Sequence, residues 1–355
     1  MYDVEEAFAL IENELLDSLS RNLKRHIAEE TELGFNWSAW QVEQLTALEQ
    51  YKRTHQKAFN RRYASINAKM LANIQNAYEE GQNEEAKRLT DLLKHKRIRK
   101  RADGDINFFA LNESKLQALL DAVTSDMQRA EQAILRKYDD QYRRIIFNAQ
   151  VYSNTTGDYN KAVDMATKSF LAKGIDCVRY KNGRDVNIKS YASMVLRTSD
   201  KRAKLYGEGT TREIWGVHTV ISAKRGHGGE TACPLCRPFV EKIMIDDVYS
   251  GGTAEESLLT GYPTLSSAMA AGFLHPNCKC GVTTYFPELE EGPQPMTKAE
   301  LKQSAKRYNA EVEKKNIERR IGVYDRLSKY SLDNDNVAKY KAKLKEWRDR
   351  YGNSK

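Results

Sequence analysis

All seven prolines of this chain fall between Pro234 and Pro295. Proline breaks helix interiors and marks turns. The residues before that window and the last sixty after it are therefore free to run as helix, while the window itself must be irregular and strand-containing. Only three glycines precede Gln150, in keeping with extended helical architecture. At 355 residues the chain exceeds the usual single-domain size and has ample length for a core. It divides into a long-helix region (1–150), an α+β module (151–292) and a basic helical tail (293–355). The expected fold class is α+β and predominantly helical.

Apolar residues recur as Val4, Phe8, Ile11, Leu15, Leu19, Leu23 and Ile27, a stripe that buries one face of a first helix. Asn36 or Ser38 caps a second helix through Trp40, Val42, Leu45, Leu48 and Tyr51 towards Tyr78, with Gly81 as its stop. Another stripe starts near Asn112 and uses Leu116, Leu119, Leu120, Val123, Met127, Ala130 and Ile134, and a shorter helix covers Asn160 to Ala172. The period then changes. Ile175 to Tyr180 and Asp185 to Ile188 flank Asn182-Gly183, a pair that tolerates the positive backbone angles of a tight turn, so a β-hairpin is predicted. A helix from Ser190 to Tyr206 and strands over Ile214 to Ile221 and Gly281 to Phe286 complete the module.

Four of the five cysteines form two clusters, Cys233-Pro-Leu-Cys236 and His275-Pro-Asn-Cys278-Lys-Cys280. Two such knuckles bring distant ligands together around a tetrahedral Zn²⁺. Five donors compete for four places. Cys233, Cys236, Cys278 and Cys280 are favoured, and His275 can replace Cys278 or Cys280. A closed thiolate site leaves no position for water or substrate, so the zinc is read as structural. It would contribute on the order of 10 kcal/mol to a module whose core is thin. Paired disulfides are the competing reading. They suit an oxidising compartment, whereas Met1 to Ser20 carries acidic residues and lacks the basic start and apolar block of a secretory signal. No apolar run approaches the ~18 residues that span a bilayer. Cys177 lies in an apolar run and reads as an inert core residue.

The knuckles and their surroundings resemble the phage minor capsid protein 2 family and, more loosely, the Mu F-like head morphogenesis proteins. The resemblance rests on Trp40-Gln41 before a long helical stretch, Gly174-Ile175-Asp176 and Tyr191-Ala192-Ser193-Met194 leading to Arg197-Thr198. It continues through Cys233-Pro-Leu-Cys236, Tyr262-Pro-Thr-Leu265 and Gly272-Phe-Leu-His-Pro-Asn-Cys278. It implies a low-copy, non-enzymatic component of the phage head, built in near the portal vertex and in some relatives leaving with the DNA. Implied partners are the portal protein and the major capsid protein; the implied location is the virion, by way of the host cytoplasm.

The formal net charge is +8, and Thr297 to Lys355 holds 17 Lys and Arg against 9 Asp and Glu, which equals the whole surplus. The tail's sparse apolar positions, Tyr308, Val312, Ile317, Ile321, Tyr324 and Leu327, can dock one stripe and leave a basic face outside. A second basic run comprises Lys94, Lys96, Arg97, Arg99, Lys100 and Arg101 and contains no acid. Both suit packaged double-stranded DNA or an acidic protein surface, through contacts that weaken with salt. No stacking or recognition-helix signature accompanies them.

The enzymatic alternative is a zinc-supported nuclease drawing on His218, His227 and His275 beside Glu230, Glu241, Asp246 and Asp247. These histidines lack the spacing of a hydrolytic metal helix. Arg197-Thr198-Ser199 faintly resembles toxin ADP-ribosyltransferases. Gly226-His-Gly-Gly229 reads as a flexible turn, and Trp37, Trp40 and Trp215 as packing anchors.

Overall fold

The computed structural model describes residues 4–25, 37–96, 106–156, 158–179, 183, 185–222, 229–276, 278–289 and 292–353. Among them the helices are α1 (Val4–Arg25), α2 (Trp37–Lys96), α3 (Ile106–Thr156), α4 (Tyr159–Lys173), α5 (Ile188–Trp215), α6 (Ala254–Thr260), α7 (Leu265–Ala270), α8 (Lys298–Tyr330) and α9 (Asn334–Asn353). The strands are β1 (Asp176–Arg179), β2 (Asp185–Asn187), β3 (Thr219–Ile221), β4 (Ile243–Ile245) and β5 (Thr283–Thr284). Predominantly helical α+β is thus the observed class. The chain packs as two compact units, one drawn from Lys69–Ser125 and Met194–Val312, the other from Asp3–Ala68, Asp126–Ser193 and Glu313–Lys355.

In the second unit, Val4, Phe8, Ile11, Leu15, Leu19 and Leu23 of α1 are all buried, as their spacing requires. Trp40, Leu48, Phe59 and Tyr63 of α2 and Met127, Ile134, Tyr138 and Tyr142 of α3 supply further core. Val42 departs from expectation and is 64% exposed, because it lies off the buried face. Gln44 joins two of the interior polar groups: Tyr142 Oη donates to Gln44 Oε1 at 2.6 Å, and Gln44 Nε2 donates to the Asn22 carbonyl at 3.1 Å. Glu12, beside the apolar stripe, accepts from Ile175 N–H at 2.7 Å and Asn187 Nδ2 at 2.8 Å and pairs with Lys189 at 3.2 Å. It thereby fastens the β1–β2 hairpin, whose Gly183 has φ +79°. Asp164 of α4 accepts from Ser331 Oγ, Leu332 N–H and Asn336 Nδ2, which fixes the α8–α9 turn.

In the first unit β3 is the central strand of an antiparallel sheet ordered β4-β3-β5, with Val220 opposite both Met244 and Thr284. Three expected boundaries are corrected here. Gly81 does not stop its helix, α5 continues past Tyr206 to Trp215 and takes in Ile214, and β5 is only Thr283–Thr284. The first has a packing cause, and a glycine of α5 shows the same use. A Cβ on Gly81 would lie 3.0 Å from Lys204 C and 3.1 Å from Glu208 N. One on Gly209 would lie 2.7 Å from Tyr249 Cβ. These glycines serve backbone-to-backbone approach rather than helix ending. Fully buried Arg212 pairs with fully buried Asp246 at 2.8 Å, and Asp246 also accepts from Tyr249 N–H at 2.9 Å.

Candidate metal centre

The cysteines lie in the core of the first unit with Leu205, Val220, Met244, Leu265 and Phe273. At the first knuckle, Cys236 N–H and Arg237 N–H donate to the Cys233 carbonyl at 3.1 and 2.9 Å, and Cys236 N–H also reaches Cys233 Sγ at 3.4 Å. The second repeats the device. Cys278 N–H donates to the His275 carbonyl at 3.0 Å, and Cys280 N–H to Cys278 Sγ at 3.3 Å. Amide donors aimed at sulfur favour thiolates, the form that binds metal.

The knuckles meet through Cys236 Sγ and Cys278 Sγ at 3.2 Å and through Cys233 Sγ and His275 Nε2 at 3.0 Å. All four cysteines are free thiols, and a disulfide would need about 2.05 Å. Their donor atoms form two triads, Cys233–Cys236–His275 and Cys236–Cys278–Cys280, each with its atoms within 4.8 Å of one another. Cys236 belongs to both. Cys236, Cys278 and Cys280 are buried, whereas Cys233 and His275 are half-buried. His275 Nδ1 lies 2.9 Å from the Pro276 carbonyl, which can only accept, so Nδ1 carries a proton and Nε2 is the nitrogen turned towards Cys233.

Hydrogen bonds from Cys236 and Cys280 hold the Cys278 thiol far below its ordinary range, while donating to Cys278 drives Cys236 far above it. Lys201 of α5 sits beside these sulfurs with Thr198 and Leu205 in a small hollow. Burial lowers its ammonium's pKa, and the cysteines pull it the other way. Spacing of 198, 201 and 205 puts them on one helical face, a signal the sequence contained but that becomes useful only once that face is known to meet the thiols.

Of the residues weighed for hydrolysis, His275 belongs to the thiol cluster, and His218, Glu230, Asp246 and Asp247 are engaged elsewhere. His218 is held through Nε2 to Glu213 at 3.0 Å and through Nδ1 to Glu256 at 3.0 Å. Asp246 pairs with Arg212, Asp247 caps α7 by accepting from Ser266 N–H at 2.8 Å, and Glu230 pairs with Arg307 at 3.3 Å. Thr198 faces the thiol hollow, and Trp40 is a buried anchor. His227 and Gly226–Gly228 lie outside the described residues, as do the side chain of Cys177 and that of Trp37. For the basic run, Lys94 and Lys96 end α2, but their side chains, together with Arg97, Arg99, Lys100 and Arg101, lie outside the described part.

Fold and site define a mostly helical chain whose irregular module closes on a cluster of thiols. Residues 1–352 match the family model for phage minor capsid protein 2. The chain belongs to that family, and so is a minor capsid protein of the phage virion. No curated protein and no solved structure matches it. Among the described residues, no helix is long and apolar enough to cross a membrane.

Proposed function

We propose that this minor capsid protein is a non-enzymatic assembly component of the phage head, placed in the capsid interior or at the portal vertex and docked on the portal protein or the major capsid protein. The observation that carries this reading is the family match over residues 1–352. Its mechanism is adhesive. Long helices supply docking surface, and a structural Zn²⁺ holds the shape of the α+β module. The donor chemistry fits that ion, since soft thiolates with an imidazole select zinc over hard oxygen-seeking cations. Cys236, Cys278 and Cys280 would hold it with Cys233 or His275, and once bound it supplies a cross-link between the two knuckles.

The basic segments attract packaged double-stranded DNA or an acidic partner surface. On α8, Lys302 and Lys306, and Lys315 and Arg319, are exposed at i, i+4 spacing, so each pair shares a face. Exposed cations without base-reading geometry engage phosphate by charge, and that attraction fades as salt rises.

A mass-spectrometric census of intact and DNA-emptied particles tests the proposal, together with co-sedimentation against purified portal protein. The expected result is low-copy presence in intact particles and salt-sensitive co-sedimentation. Absence from particles contradicts it. So does nicking of plasmid DNA by the purified protein with Mg²⁺, if His218→Ala abolishes the nicking.

A further inference from the structure

Cys236, Cys278 and Cys280 are all buried, and their sulfurs lie together. As thiolates the three outweigh a divalent ion by one charge, and a further thiolate would double that surplus. A buried net charge is costly unless an opposite charge stands beside it. The surroundings of the cluster therefore have to supply a cation.

Lys201, Lys204 and Lys279 line one hollow with Gly281, next to the second knuckle. Lys204 is paired with Glu84 at 2.6 Å, and Lys279 with Glu311. Among the described residues no carboxylate forms an ion pair with Lys201. Lys201 also lines the smaller hollow that holds Cys278 and His275. Its place follows from the helix: Leu205, one turn further along α5, packs in the same core as the three cysteines, and residues four apart share a face. Burial disfavours the Lys201 ammonium, and the groups that favour it are Cys278, Cys280 and Cys236, ahead of Glu208. Arg202 lines the smaller hollow as well, but there its charge opposes the rise that burial causes in the Tyr206 phenol.

We propose that Lys201 balances the charge of the thiol cluster, its ammonium offsetting the surplus that Cys236, Cys278 and Cys280 carry when they hold zinc. The proposal rests on the reading of the cluster as a zinc site. Lys201 is not a ligand and acts by charge, so another cation can stand in for it and an apolar chain of equal length cannot.

The test uses the full-length, reduced chain loaded with zinc, as wild type, Lys201→Met, Lys201→Arg and Arg202→Met. Affinity is measured at one neutral pH by competition with a chromophoric chelator. Lys201→Met should weaken zinc binding about tenfold to a hundredfold, as loss of a group supporting a metal's ligands does. Lys201→Arg should keep most of the affinity, and Arg202→Met should change it little. Methionine fills the space of lysine more closely than arginine does, so a packing role predicts the reverse order. With cobalt in place of zinc, Lys201→Met should shift the sulfur-to-cobalt charge-transfer band to lower energy, because a neighbouring cation holds the sulfur electrons more tightly. Lys201→Arg should leave that band in place. Lys201→Gln, neutral but polar, is carried alongside with circular dichroism to confirm folding, and should behave as Lys201→Met does. Unchanged affinity in a folded neutral variant, equal losses in Lys201→Met and Lys201→Arg, or an equal loss in Arg202→Met overturns the proposal. A wild type that binds no zinc overturns the underlying site reading instead.

Discussion

Gly81 of α2 and Gly207 of α5 meet where two helix backbones touch. A Cβ built on Gly207 would lie 2.9 Å from Gln82 N and 3.0 Å from Tyr78 C, and one on Gly81 would press on Lys204 and Glu208. Neither obstacle is a movable side-chain tip, so the crossing depends on residues without side chains.

Gly207→Ala is therefore expected to destabilise the protein by about 2–4 kcal/mol through overpacking against backbone. Gly322→Ala on α8, whose new methyl would meet Arg326 Nη1 at an ordinary 3.6 Å, should stabilise by about 0.5–1 kcal/mol through helix propensity. Urea denaturation of the two variants separates them. Equal shifts would contradict the close-approach account.

This pair also shows what the sequence could and could not reveal. The α1 stripe from Val4 to Leu23 and the Asn-Gly hairpin were legible because periodicity and turn chemistry are local. Gly81 was misread as a helix end because the same residue type serves two purposes, and only the partner backbone distinguishes them. The thiol cluster was legible because two short knuckles of this spacing can converge on one point. How their donors divide into two groups around Cys236 was not, since that follows from distances that no pattern encodes. Lys201 escaped notice for a similar reason: its proximity to Cys278 follows from the packing of α5. The buried partners Arg212 and Asp246 are thirty-four residues apart and carry no joint signature.

Asp246→Asn should cost about 3–5 kcal/mol, because it removes the nearer carboxylate from the buried Arg212 guanidinium and leaves only Glu208, at 3.7 Å, to pair with it. Asp247→Asn, which alters only the cap on α7, should cost no more than about 1 kcal/mol. Chemical denaturation measures both. A mild effect at Asp246 would show that Arg212 is held by other means.

His218 gives the first unit a pH dependence. Burial disfavours its imidazolium, but the hydrogen bonds and charges of Glu213 and Glu256 outweigh that and raise its pKa above the ordinary 6.5. Glu213 is lowered from its ordinary 4.5, chiefly by the hydrogen bond from His218. A raised basic group stabilises fully below its unfolded value and loses that contribution as pH rises through the folded value. A lowered acid stabilises above its unfolded value and loses the contribution as pH falls. The triad should therefore support the fold best between about pH 4.5 and 6.5 and weaken towards alkaline pH. His218→Gln should flatten the decline in melting temperature from pH 6 to 8. An unaltered slope would show that the pairing adds nothing.

Whether an ion joins the two knuckles is read by native mass spectrometry of the reduced chain. One divalent ion per chain is predicted, lost together with the melting transition of the folded protein when Cys236 and Cys278 are both replaced by serine. A chain that flies at its apo mass and melts unchanged after that double replacement would contradict it.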